Sequence, residues 1–377
     1  MLPFAIAIDL DGAGAHPAAH TRSTEPPPAL LTGRRIADTV RAAERAGFTA
    51  ATFEDAVTRP GADGTGPGGR LDAVQRAAFA APLTSSIGLV PTVGAVYTEP
   101  FHVSTQLATA DLASAGRTGW IADTDADPAA ARAYGRRPVD GAEAVATATD
   151  AVEVVRRLWD SWEDDAVIRD TTTWRYIDRD RVHPIGFSSS RFGVAGPSII
   201  PRPPQGQLPV FARLAAGLPE GTDIALVTSS ASATRCLATA AGAAGVWLEL
   251  EVALDRAGVP AVRRVADLDE RAPWTPGTRG RYVGDAAGLT TLLGDLVGQV
   301  DGVRLFPAVL DEDLDEVGRA VLPELRRAGR FRSPRAGDRL RDVLGLPPAH
   351  NRYTHAPHPH TAASGHDATT SLQEVSA

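Results

Sequence analysis

The chain has no lysine: all 38 of its basic residues are arginine. That excludes a Schiff-base lysine, a pyridoxal-phosphate lysine and a Walker-type phosphate loop. It has a single cysteine, Cys236 in "ASATRCLATAA", so an internal disulfide and any cysteine-rich zinc or iron–sulfur site are excluded. Its place in an Ala-rich helical stretch reads as a small buried apolar residue. No apolar run approaches the roughly 20 residues that span a bilayer. The opening "MLPFAIAIDLDG" lacks a basic leader and a cleavage site and reads as a first strand, which points to a cytoplasmic protein. The net charge of −8 argues against a general nucleic-acid binder. "GTGPGG" at Gly64–Gly69 has dinucleotide-loop spacing. Pro67, however, removes an amide donor, and no acidic residue follows about 20 positions on, so it reads as a flexible loop.

What is present is an ordinary soluble composition, 43% apolar and 22% charged, in a chain long enough to bury a large core. Short β-branched runs alternate with longer amphipathic ones. The expected strands are 4–10, 49–54, 87–93, 118–122, 208–213, 224–228, 246–253 and 302–306. Helices fill the gaps, including one over "GRRIADTVRAAERAGF" that stops at Gly47. Eight such alternations predict a parallel sheet closed as a (β/α)8 barrel. Residues 161–207 break the rhythm and read as an insertion on a βα loop, ending in the stiff proline run Pro201–Pro204. The barrel domain is expected over residues 1–350 and a disordered tail over 351–377. The tail carries His355, His358, His360 and His366 but no ordered partner for a metal.

In a parallel barrel, functional groups stand at the C-terminal ends of the strands. The first offers Asp9 and Asp11, with His16 beyond. The second offers Glu54 and Asp55. The third offers Thr92 with Tyr97, Glu99 and His102 just past it, and the fourth Asp123 and Asp125.

Several stretches resemble one family. They are Glu99-Pro100-Phe101-His102, the Ala-rich helix after it and Gly116-Arg117-Thr118-Gly119-Trp120, with "HPAAH", "AAERAGFTAATFEDA", "VVRRLWDSWEDDAVIRD", "DGVRLFPAVL" and "LRDVLGLPPAHNRY". On these the chain is similar to the bacterial luciferase-like flavin-dependent monooxygenases, in the nitrilotriacetate monooxygenase component A branch. The resemblance implies a (β/α)8 barrel and a monooxygenase that takes FMN as a loosely held reduced substrate from a separate flavin reductase. It implies that O2 adds at flavin C4a and that the peroxide oxygenates a small organic molecule; no metal is implied. A homodimer, or a heterodimer with a paralogue, is expected, and neither nucleic acid nor membrane as a partner. The residues assigned by resemblance are Asp55 and Thr92 at the flavin ring and His102 at the pocket mouth as a proton donor. Arg213, Gly217 and Gly221 are assigned to the phosphate. On the residues alone, Asp55 also reads as a loop cap, His102 as a residue packed on its own helix and Arg213 as a salt-bridge partner. The chain departs from the branch at Ile121, where Asn is common, near Val145, where Tyr is common, and in "FARLAAGLPEGTD", where a Ser-bearing turn is common. Two alternatives stay open, the first favoured by these departures and the second by the breadth of the family. One is a non-catalytic barrel that pairs with an active paralogue as its structural partner, and the other an oxidoreductase using the deazaflavin F420.

Overall fold

The computed structural model describes residues 2–23, 25–55, 57, 68–214 and 217–354. Eight parallel strands close into a barrel: β1 (Ala5–Asp9), β2 (Ala50–Phe53), β3 (Gly88–Gly94), β4 (Trp120–Asp123), β5 (Val210–Arg213), β6 (Ile224–Val227), β7 (Gly245–Leu254) and β8 (Gly302–Pro307). They pair in sequence order, and β8 returns to β1 through Ala5–Ile8 against 302–305. All eight fall on the expected runs. A further strand, Gly280–Gly284, was not expected; it pairs with the distal half of β7 after β6 has ended.

Helices α1 (Gly33–Ala46), α2 (Ala73–Ala80), α3 (Pro100–Ala113), α4 (Pro128–Ala133) and α5 (Gly141–Asp160) link the first five strands. The later helices are α6 (Ser232–Ala240), α7 (Ala261–Asp269), α8 (Ala286–Leu296), α9 (Leu310–Glu316), α10 (Leu322–Arg327) and α11 (Leu340–Val343). The sequence writes their ends. Thr32 caps α1, accepting from the Arg35 N–H, and Gly47 closes it with φ +91°. Ile36, Val40 and Ala43 form its buried stripe. The Gly-Arg exit after α3 also has a local cause. Arg117 is buried and donates to the carbonyls of Ala81, Thr84 and Ile87 and to the Thr84 hydroxyl. One guanidinium thus satisfies a turn that would otherwise bury bare carbonyls.

Three expectations need correction. The insertion is not on a βα loop. Residues 161–207 run from the end of α5 to the start of β5, so they leave and rejoin the barrel at the N-terminal ends of the strands. They form two small hairpins, Val167–Asp170 with Arg175–Ile177 and Phe187–Ser188 with Gly193–Val194. Cys236 is exposed rather than buried. Docked chain also runs past residue 350. Asn351 is buried and its amide donates to the Asp160 and Trp162 carbonyls at 2.9 and 2.8 Å, while Tyr353 stacks on His183. The four tail histidines and Gly64–Pro67 lie outside the described residues. Among the described residues no helix is long and apolar enough to cross a membrane.

Candidate ligand site at the mouth of the barrel

Side chains along a strand alternate between the barrel interior and the helix layer. The interior therefore divides into layers. Ala7, Ala50, Val90, Ile121, Phe211 and Trp247 form an apolar layer, closed at the N-terminal end by Leu340, Leu344 and Leu346 of α11 and the chain after it. Two residues further along the same strands stand Asp9, Thr52, Thr92, Asp123, Arg213 and Glu249. The mouth of the barrel is polar because each strand switches character at the same height.

On the β1, β7 and β8 side, that polar layer is an ion-pair network. Arg304 of β8 is fully buried and contacts Asp9 at 2.8 Å, Glu249 at 2.9 Å, the Thr52 hydroxyl at 2.8 Å, and Glu54. Arg213 meets Glu54 at 2.6 Å, Glu249 at 3.4 Å and Asp123 at 3.5 Å. Arg279 adds a contact to Glu249 at 3.3 Å and lies over the Phe306 ring. Burial alone would raise the Glu54 carboxyl, but Arg304 and Arg213 outweigh it and bring it down to about 2. Glu249 is lowered for the same reasons, and Arg304 is raised further above its ordinary value by its three carboxylate partners.

Against β2, β3 and β4 the mouth opens into a pocket of about 540 Å³, within the usual range for small-molecule sites. Among the described residues six carboxylates line it: Asp55, Asp72, Glu99, Asp123, Asp125 and Asp127. The Asp55 carboxylate accepts from the Ala73 N–H at 2.7 Å, and Asp72 caps α2 through the Gln75 N–H at 2.8 Å. Glu99 caps α3 and Asp127 caps α4. At the floor, the Thr92 hydroxyl is buried and makes no hydrogen bond. Such a group is open to a hydrogen bond from a ligand or water. Tyr97 and Tyr134 stack with ring centroids 6.5 Å apart and line the same pocket.

The structure brings Asp55, Thr92 and His102 together in this pocket, with His102 exposed at its mouth. It does not gather the three residues assigned to a phosphate. Arg213 is engaged by three carboxylates. Gly217 lies beside Val145. Gly221 sits before β6, at the opposite end of the strands, where its carbonyl accepts from Arg156 at 2.6 Å. The network residues Glu249, Arg279 and Arg304 were missed, although "VWLELEV" and "GVRLFP" carry the alternation that turns Glu249 and Arg304 inward.

A parallel eight-stranded barrel with a ligand pocket at the C-terminal ends of its strands is an enzyme-type scaffold. Residues 13–230 match the family described as luciferase-like monooxygenase, and the chain belongs to that family. It is 38% identical over 128 residues to N-acetyl-S-(2-succino)cysteine monooxygenase of Bacillus subtilis (strain 168), covering 34% of this chain and 29% of that one. It is 32% identical over 247 residues to nitrilotriacetate monooxygenase component A of Aminobacter aminovorans, covering 63% and 54%. It is 35% identical over 214 residues to one of the pristinamycin IIA synthase subunits of Streptomyces pristinaespiralis, covering 56% and 68%. The match thus spans less than two thirds of the first two of these relatives. In fold the chain is similar to the long-chain alkane monooxygenase LadA, with a TM-score of 0.78, 18% identity, and 91% of this chain and 96% of that one covered.

Proposed function

We propose that the chain is a flavin-dependent monooxygenase that receives reduced FMN from a separate reductase and uses O2 to oxygenate a small organic molecule. The observation that carries the reading is the position of the pocket. It stands at the C-terminal ends of β2–β4, and every residue lining it lies inside the stretch that matches the family. The pocket fits a flavin ring: it has room, an apolar wall in Val93, Val96 and Tyr97, and the unsatisfied Thr92 hydroxyl at its floor. It does not fit the FMN phosphate. The Arg213 guanidinium is committed to carboxylates, and Asp72, Glu99 and Asp127 set a negative charge at each helix start beside the pocket, where a phosphate would be repelled.

When bound, a reduced flavin supplies the electrons for oxygen activation. The chain's own residues then have three tasks. Thr92 fixes the ring through its hydroxyl. The Val93, Val96 and Tyr97 wall keeps water off it. His102 exchanges a proton at its imidazole with whatever lies at the mouth. The test is the reoxidation rate of photoreduced FMN after mixing with oxygenated buffer, with and without the protein. The reading expects the protein to change that rate several-fold, and expects negligible NADH oxidation with NADH and FMN alone. Identical reoxidation with and without the protein contradicts it.

A second reading is favoured by the ion-pair network itself. A mouth filled by Arg304, Arg213 and their carboxylates suits a barrel that has given up the flavin and pairs with an active paralogue, and one relative is named as part of a multi-chain synthase. Failure to bind FMN in either redox state, together with a stable complex with a second luciferase-like chain, would select it. The acidic pocket weighs against F420, which carries more negative charge than FMN.

A further inference from the structure

We propose that the pocket at the barrel mouth recognises an organic cation, a small molecule with an ammonium group on an apolar body, as the molecule to be acted on. The inference names the substrate class of the site described above. It rests on reading that pocket as the ligand site; with a flavin ring on the Thr92 hydroxyl, the cation keeps the carboxylates and the Tyr134 side of the pocket.

The first argument is charge. Among the described residues, Asp72, Glu99, Asp125 and Asp127 form no ion pair with any arginine, and Asp123 reaches only Arg213, at 3.5 Å. Among the described residues Arg136 is the one arginine lining the pocket, and it is exposed at the rim. The negative field is felt by its neighbours. The Tyr134 hydroxyl is raised by burial and further by Asp55 and Asp72. The Asp123 carboxyl is raised by burial and further by Glu54 and Asp125, against the pull of Arg213. A cation in the pocket would relieve both.

The second argument is independent of charge. Thr92 is 1% exposed and its hydroxyl oxygen has no partner. It stands at the floor of the same pocket, where an ammonium N–H could donate to it. The third is shape. The Tyr97 and Tyr134 rings line the pocket beside the carboxylates, and aromatic rings next to carboxylates are the usual surroundings of a bound ammonium group. The converse also holds. The first turns of α2, α3 and α4 each carry an acidic cap, so an anionic ligand would meet a carboxylate at each of them.

The experiment is calorimetric titration of the full chain with three probes that share one apolar body: 2-phenylethylamine, 2-phenylethanol and phenylacetate. No flavin is present. At low salt the amine should bind about ten-fold more tightly than the alcohol, and phenylacetate more weakly than either. The amine's advantage should shrink as salt rises. The double variant Asp125→Asn with Asp127→Asn should remove most of that advantage and leave the alcohol's affinity unchanged; Asn keeps the cap on α4. Thr92→Val, close in shape, should weaken the amine several-fold. Equal binding of the three probes, tighter binding of phenylacetate, or no binding of the amine would each overturn the proposal. Amine binding without any effect on flavin reoxidation would sink the monooxygenase reading alone. Flavin protection without amine binding would sink this one alone.

Discussion

The two sides of the barrel mouth use the same acidic residues to opposite ends. Toward β1, β7 and β8, Asp9, Glu54 and Glu249 converge on Arg304, with Arg213 and Arg279 beside it. Toward β2–β4, Asp72, Glu99, Asp125 and Asp127 have backbone amides as partners and, among the described residues, no arginine. The first arrangement closes space and fixes neighbouring strands to one another. The second leaves space, keeps its charge, and holds an unsatisfied hydroxyl at its floor. A carboxylate at a strand end is therefore not a sign of a ligand site in this fold.

The comparison breaks most easily at Arg304. Arg304→Met leaves three buried carboxylates short of their cation and should cost about 3–5 kcal/mol, read as a large drop in the thermal midpoint at neutral pH. Lowering the pH should partly rescue the variant, because protonation removes the uncompensated charges. A variant as stable as the parent at pH 7 would show that the network carries no weight.

A somewhat smaller effect is expected at Glu54. Its carboxyl is lowered from 4.5 to about 2, so its stabilisation is complete above the ordinary value and is lost as the pH falls toward 2. The linkage is worth of the order of 3 kcal/mol. Glu54→Gln should be destabilising at pH 7 and should flatten the acid limb of the stability curve. An unchanged acid limb would contradict the assignment.

Asp111 separates burial from pairing. It is as buried as the network, but its partners are neutral: the Thr118 N–H at 3.1 Å and the Gln205 amide at 2.6 Å. Burial raises its carboxyl to about 6 against those hydrogen bonds. The sign is opposite to that of Glu54. Its contribution is full below the ordinary carboxyl range and is lost as the pH rises through 6. Asp111→Asn should flatten stability between about pH 4 and pH 7, measured by thermal melts across that window. Smallest of all, Asp125→Asn on the open side should shift stability by less than about 0.5 kcal/mol, because Asp125 is exposed and forms no ion pair. A large loss there would mean that the pocket carboxylates are structural after all.

Much of the fold was legible because the barrel strands are short apolar runs separated by capped helices. Thr32, Asp72, Glu99, Asp140 and Asp285 each cap a helix start in the structure. The strand Gly280–Gly284 escaped notice because "GRYVG" is short and only half-buried. The insertion was misplaced because the helix before it was not counted as the one returning from β4 to β5. In the site, Asp55, Thr92 and His102 were found from their position at strand ends. Arg213 was assigned by resemblance, and its carboxylate partners were not anticipated. Which carboxylate faces a strand-end arginine depends on barrel register, and the contact from Arg213 to Glu54 joins residues 159 apart in sequence.

The central claim is that Arg213, Arg279 and Arg304 at this mouth are held by carboxylates, so that Arg213 does not serve a phosphate. Anaerobic titration with reduced FMN and reduced riboflavin, which share the ring and differ at the phosphate, tests it directly. The account predicts that riboflavin binds as tightly as FMN or more tightly, and that Arg213→Ala does not selectively weaken FMN. FMN binding about ten-fold tighter than riboflavin, with the difference abolished by Arg213→Ala, would contradict it.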